Sequence, residues 1–125
     1  MAQEHIADDL QRFIATHIDS IAHIEALMLL RQTSPTEWTP TALADRIYAD
    51  EATVRSVLRR LHSDGLVVLD ADRYRFGCDS VEKERMVHRL AEAYRTFLIP
   101  VTNLIHAKPR KIRQFAEAFK LRKES

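Results

Sequence analysis

Arginine and hydroxyl side chains crowd one stretch of this chain. Between positions 51 and 63, Thr53, Arg55, Ser56, Arg59 and Arg60 interleave with Val54, Val57, Leu58 and Leu61. The apolar set recurs at i, i+3, i+4 and i+7, the stripe of an amphipathic helix, so the polar set shares the opposite face. Arg55 and Arg59 lie one turn apart on it. A guanidinium can grip guanine with paired N–H donors, and threonine or alanine methyls can touch the thymine methyl. Other chemistry is thin. Asp19 and His23, four apart, could share a helix face as metal ligands or as a surface ion pair, and one pair is far from a filled coordination shell. Cys78 has no second cysteine and no adjacent basic residue, so it reads as structural. Ser20, Thr39, Asp50, Asp79 and Ser80 sit where helix caps belong, and no nucleophile–base–orienter set remains. The expectation is a chain without enzymatic activity, cofactor or metal.

The elements that position these arginines follow from the rest of the pattern. The chain has 125 residues, 46% hydrophobic and 30% charged, with 2 Gly and 4 Pro. That length suits a single domain with an appended arm, and so few turn formers argue against an all-β fold. Two glycines are too few for GxGxxG and are not spaced for a P-loop. Ile6, Leu10, Phe13 and Ile14 predict an amphipathic helix over about 4–17. Positions 21–31 are apolar on most faces, as in a central buried helix. Residues 32–38 read as a loop with Trp38 as an apolar plug at its end. Thr39-Pro40 opens a short helix with Leu43, Ala44 and Ile47 inside. Asp50 caps the arginine-bearing helix, Glu51 is favoured by its dipole, and Gly65 ends it in the left-handed region. Positions 66–69 and 73–76 predict a small hairpin around a turn at Asp70, Ala71 and Asp72.

Asp79 and Glu82 resemble a capping box before a long helix. Val87, Leu90, Tyr94, Phe97, Val101 and Leu104 make an a/d seam along it, and Pro100 should kink it. Some 25 residues of helix would rise about 38 Å, too long for the preceding domain to cover alone. The seam is therefore expected in a dimer interface, the alternative being a helix that folds back on the 4–17 helix. Ile112, Phe115, Ala116 and Phe119 mark a last amphipathic helix. The expected organisation is 1–19, an N-terminal amphipathic helix; 20–77, the arginine-bearing domain; and 78–125, a C-terminal helical dimerisation arm. Leu10, Phe13, Phe115 and Phe119 join the seam as expected dimer-interface residues.

The net charge of +1 conceals an uneven distribution: −3 over 1–31, −1 over 32–77, zero over 78–107 and +5 over 108–125. The basic tail is expected to dock on the acidic N-terminal helix of a partner subunit, with flanking DNA or solvent as alternatives. No apolar run approaches a membrane span, the longest being 26–30. With no signal-like start and one cysteine, the expectation is a cytoplasmic protein without membrane contact.

The order helix, short helix, capped helix, glycine and hairpin is that of a winged helix-turn-helix. Thr39-Pro40-x-x-Leu43-Ala44-x-x-Ile47, Thr53-Val54-x-x-Val57-Leu58-x-x-Leu61 and Asp64-Gly65-Leu66-Val67 resemble the DNA-binding domains of bacterial transcriptional regulators of the MarR type. The likeness to the ArsR and PadR types is weaker, and the pattern covers about half the chain. The resemblance implies a mostly α fold with a small β-hairpin, flanked by N- and C-terminal dimerisation helices. It implies a homodimer bound to double-stranded DNA, with the 51–63 helix in the major groove and the 66–76 wing beside it. Carried onto this sequence, the DNA-binding residues are Thr41, Ala52, Thr53, Arg55, Ser56, Arg59 and Arg60, with Arg73 and Arg75 on the wing. Asp70 and Asp72 depart from a basic wing: they neutralise Arg73 and Arg75 or hold the wing off DNA. The alternative function is a winged helix that grips a protein partner without intrinsic DNA binding.

Overall fold

A computed structural model describes residues 6–107. Six helices and one hairpin are found among them. They are α1 (Asp8–His17), α2 (Ile21–Gln32), α3 (Pro40–Ile47), α4 (Glu51–Ser63), β1 (Val67–Asp70), β2 (Arg73–Phe76), α5 (Val81–Thr96) and α6 (Leu98–Ala107). The chain turns by 104° between α1 and α2. Ser20 starts α2 by accepting from the His23 amide at 3.1 Å. Central α2 packs against α3, α4 and β2. It buries Ile24, Ala26, Leu27 and Leu30 completely, in keeping with its apolar sequence.

The helix starts at α3 and α4 follow their caps. Thr39 Oγ1 accepts from the Ala42 amide at 3.2 Å, with Pro40 at the first helical position, where no N–H is needed. Asp50 does the same for α4 through the Thr53 amide at 2.8 Å. Val54, Val57, Leu58 and Leu61 are all buried and turn α4 onto α2, α3 and β1. Burial of four such side chains contributes roughly 6–12 kcal/mol of gross hydrophobic stabilisation. Gly65 has φ +76° and lets the chain leave α4 for β1.

The antiparallel hairpin pairs Val67 with Phe76 and Asp70 with Arg73. Strand β1 runs through Asp70, so the turn is shorter than its sequence suggests and places Ala71 at φ +58°. Trp38 is more than a plug. Its backbone exchanges two 2.8 Å hydrogen bonds with Tyr74 on the open edge of β2. Helix α5 begins one residue later than the capping-box reading places it. Ser80 accepts from the Lys83 amide at 3.1 Å, while Asp79 instead accepts from the Lys83 ammonium.

The long C-terminal helix is two helices. Proline at 100 cannot donate to the carbonyl four residues back, and its ring clashes there. The break falls at Phe97 (φ −124°, ψ 56°), and α6 starts afresh with Pro100 in its first turn. The chain thus need not expose a 38 Å rod, and α5 packs on α1 of the same protomer. Arg89 clamps Asp9 with two 2.8 Å hydrogen bonds across that contact. Val87, Leu90 and Val101 of the seam are fully buried in the protomer, as are Leu10 and Phe13 nearly so. These five are buried within their own protomer. Tyr94, Phe97 and Leu104 remain partly exposed. Phe115, Phe119 and the basic tail lie outside the described residues. No single helix among the described residues is long and apolar enough to cross a membrane.

Candidate nucleic-acid interface

One face of the molecule gathers the outer side of α4, the start of α3 and the tip of the hairpin. Ala52, Thr53, Ser56 and Arg59 are exposed on α4, and Thr41 is exposed on α3. The cap fixes Thr53: its hydroxyl donates to Asp50 Oδ2 at 2.9 Å. What Thr53 offers a ligand is therefore its methyl group and hydroxyl lone pairs. Ala52, Thr53 and Ser56 also border a cleft of about 390 Å³ that runs to Ser20 at the start of α2. Arg73 is exposed and Arg75 half-buried. Two residues apart on β2, they project from one side of the hairpin, and Tyr74 is buried on the other. Among the described residues, no ion pair engages Arg59, Arg73 or Arg75.

Arg55 sits where α4 and the hairpin meet, half-buried between two carboxylates. Its Nε donates to Glu51 Oε2 at 2.9 Å, and Nη2 approaches the same oxygen at 2.8 Å. Its Nη1 faces Asp72 Oδ1 across 3.9 Å. The hydrogen bond from Arg55, and a second from the Thr41 hydroxyl, hold the Glu51 carboxyl below its ordinary pKa. The Thr53 amide and hydroxyl do the same for Asp50. Both groups are thus ionised near neutrality. Asp72 faces Arg55, and not Arg73 or Arg75 as one of the two sequence readings has it. The four-residue spacing of Glu51 and Arg55 announces the first contact. The second depends on how the hairpin folds over α4, which no local spacing encodes.

Arg60 lines the same cleft beside Ser56, but its guanidinium is taken up by the protein. Its Nη1 donates to Asp19 at 2.9 Å, its Nε to Asp64 at 3.1 Å, and its Nη2 to the Thr16 carbonyl. Asp64 also meets His17 Nδ1 at 2.8 Å. The set ties the end of α4 to the α1–α2 corner and engages all three guanidinium nitrogens of Arg60 within the chain. Position 60 is one residue, about 100° of rotation, beyond Arg59 and one turn beyond Ser56, which brings it to the flank of α4 nearest the α1–α2 corner. The carboxylate of Asp19 holds Arg60, while its backbone amide donates to His23 Nδ1 at 3.1 Å.

Cys78 is half-buried, and burial together with nearby Glu84 and Asp79 raises its thiol pKa to about 11. The thiolate, the reactive form, is therefore scarce near neutrality. The sequence matches no protein-family model and no curated protein.

Proposed function

We propose that this chain is a sequence-specific DNA-binding transcriptional regulator of winged helix-turn-helix form, similar to the MarR type and acting as a homodimer. In this reading α4 is the recognition helix, entering the major groove, and β1–β2 is the wing beside it. One observation carries the proposal. The exposed Ser56 and Arg59 of α4 lie on one side with Arg55, against which the arginine-bearing hairpin closes, and exposed Thr53 lies one turn before Ser56. Hydroxyls, methyls and guanidinium groups are what base edges in the major groove require. Arg73 and Arg75 would meet the backbone or the adjacent minor groove. Exposed Leu98 and Ile99, beside half-buried Phe97, provide an apolar surface for a second copy.

The test is titration of the full chain with a randomised duplex pool at several salt concentrations. Binding should weaken linearly in log–log form as counterions are released. Arg59→Ala should weaken it, while Arg60→Ala should act through stability. Failure to retain any duplex at low salt would overturn the reading. A protein-binding role for the same face is the second reading, favoured by the carboxylates of Glu51, Asp70 and Asp72 there. A stoichiometric protein partner lost on Arg59→Ala, with no duplex binding, would establish it.

A further inference from the structure

We infer that Arg55 reads a guanine, that Glu51 positions it, and that Asp72 on the hairpin screens it from phosphate. The inference rests on the DNA-binding reading above and assigns the base class that one side chain would recognise. The guanidinium has five N–H donors in a rigid plane. Glu51 takes one edge of that plane, through Nε and Nη2 at 2.9 and 2.8 Å. The Thr41 hydroxyl holds Glu51 in turn, so the support reaches back to α3. The remaining edge, Nη1 with the second hydrogen of Nη2, has the spacing to meet the O6 and N7 acceptors of guanine. Among the described residues, Asp72 is the carboxylate that faces that edge, at 3.9 Å from Nη1, beyond hydrogen-bonding distance.

Charge then selects between the two acceptors DNA offers. Arg55, Glu51 and Asp72 together carry a formal charge of −1. A phosphate brought to this edge meets two carboxylates within the same cluster and is repelled. The major-groove edge of guanine is neutral and meets only the donors. A lone exposed arginine would donate to either, and among the described residues no carboxylate lies within ion-pair distance of Arg59 or Arg73.

The experiment is selection from a randomised duplex pool by the full chain, followed by titration of the selected and an unrelated duplex. Wild type, Arg55→Gln and Asp72→Asn are compared, and circular dichroism checks that each folds. The wild-type motif should hold a fixed G·C position that Arg55→Gln loses, at a cost of about tenfold or more for the selected duplex. Asp72→Asn should keep that position and tighten binding to the unrelated duplex about threefold or more at low salt, because one repelling charge is gone. A fixed G·C position that survives in Arg55→Gln, a motif without one, or unchanged unrelated-duplex binding in Asp72→Asn would overturn the inference and leave DNA binding standing. Retention of no duplex by wild type would overturn both.

Discussion

Replacing Arg60 by alanine should destabilise the fold, not the reading of bases. The side chain makes two contacts from α4 to the α1–α2 corner, at Asp19 and the Thr16 carbonyl, and a third to Asp64 at the end of α4. Arg60 and Asp19 are 39% and 45% exposed, so solvent screens that pair to about 0.5 kcal/mol. Asp64 is 16% exposed, and the Arg60 hydrogen bonds to it and to the Thr16 carbonyl contribute about 1 kcal/mol each. The sum is about 2.5 kcal/mol, or roughly 10 °C in Tm for a chain of this size. Urea unfolding followed by circular dichroism measures it, with Arg59→Ala as the control expected within about 0.5 kcal/mol of wild type. A double-mutant cycle with Asp19→Ala should return a coupling of about 0.5 kcal/mol. The reasoning is refuted if Arg60→Ala unfolds like Arg59→Ala but weakens duplex binding at least as much.

Acid should loosen the α1–α5 contact. Hydrogen bonding to Arg89 lowers the Asp9 pKa from 3.8 to about 2. The pair therefore adds stability that is complete above pH 3.8 and is lost as the pH falls towards 2. Asp9→Asn should unfold more easily than wild type at pH 7, with the gap narrowing by pH 2.5; a constant gap would contradict the assignment. Gly65→Ala should cost about 1–2 kcal/mol, because alanine resists φ +76°, and its Cβ would also fall 2.2 Å from the Asp79 carboxylate. A neutral result in thermal unfolding would count against it. Alkylation of Cys78 at pH 8 should run roughly a hundredfold slower in the native chain than in urea, following its raised pKa. Equal rates would show an accessible thiolate.

Most of the helical framework was legible because local chemistry decides it. Thr39 and Asp50 are caps in the sequence and in the structure, and Gly65 adopts the left-handed conformation the helix end asks for. The stripe of Val54, Val57, Leu58 and Leu61 is buried as its spacing requires. The failures are non-local or turn on competition between neighbours. Ser80 and Asp79 are both good caps, and the choice between them depends on Lys83, which Asp79 and the Asp64 carbonyl both engage. Pro100 predicts a kink, but the helix breaks at Phe97, and Val87, Leu90 and Val101 of the seam are buried within the protomer. Regular a/d spacing identifies apolar residues that need a partner; it does not say whether that partner is α1 or another protomer.

The same distinction bears on the arginines. Residues 32–77 carry six of them and a net charge of −1, too little bulk charge for strong nonspecific attraction to DNA. The structure divides them by what they meet. Arg60 is drawn into the α1–α4 tether and Arg55 into a carboxylate pair, while Arg59 and Arg73 stand exposed. A domain organised this way would owe little of its affinity to phosphate and more to a few base contacts. Its salt dependence should accordingly be shallow for a DNA-binding protein: two or three phosphate contacts per subunit give a log–log slope of about −2 to −3. A slope near −8 per subunit would mean that charges outside this face, foremost the basic 108–125 segment, supply the binding. Truncation after residue 107 separates the two cases, since it should leave a shallow slope unchanged and collapse a steep one.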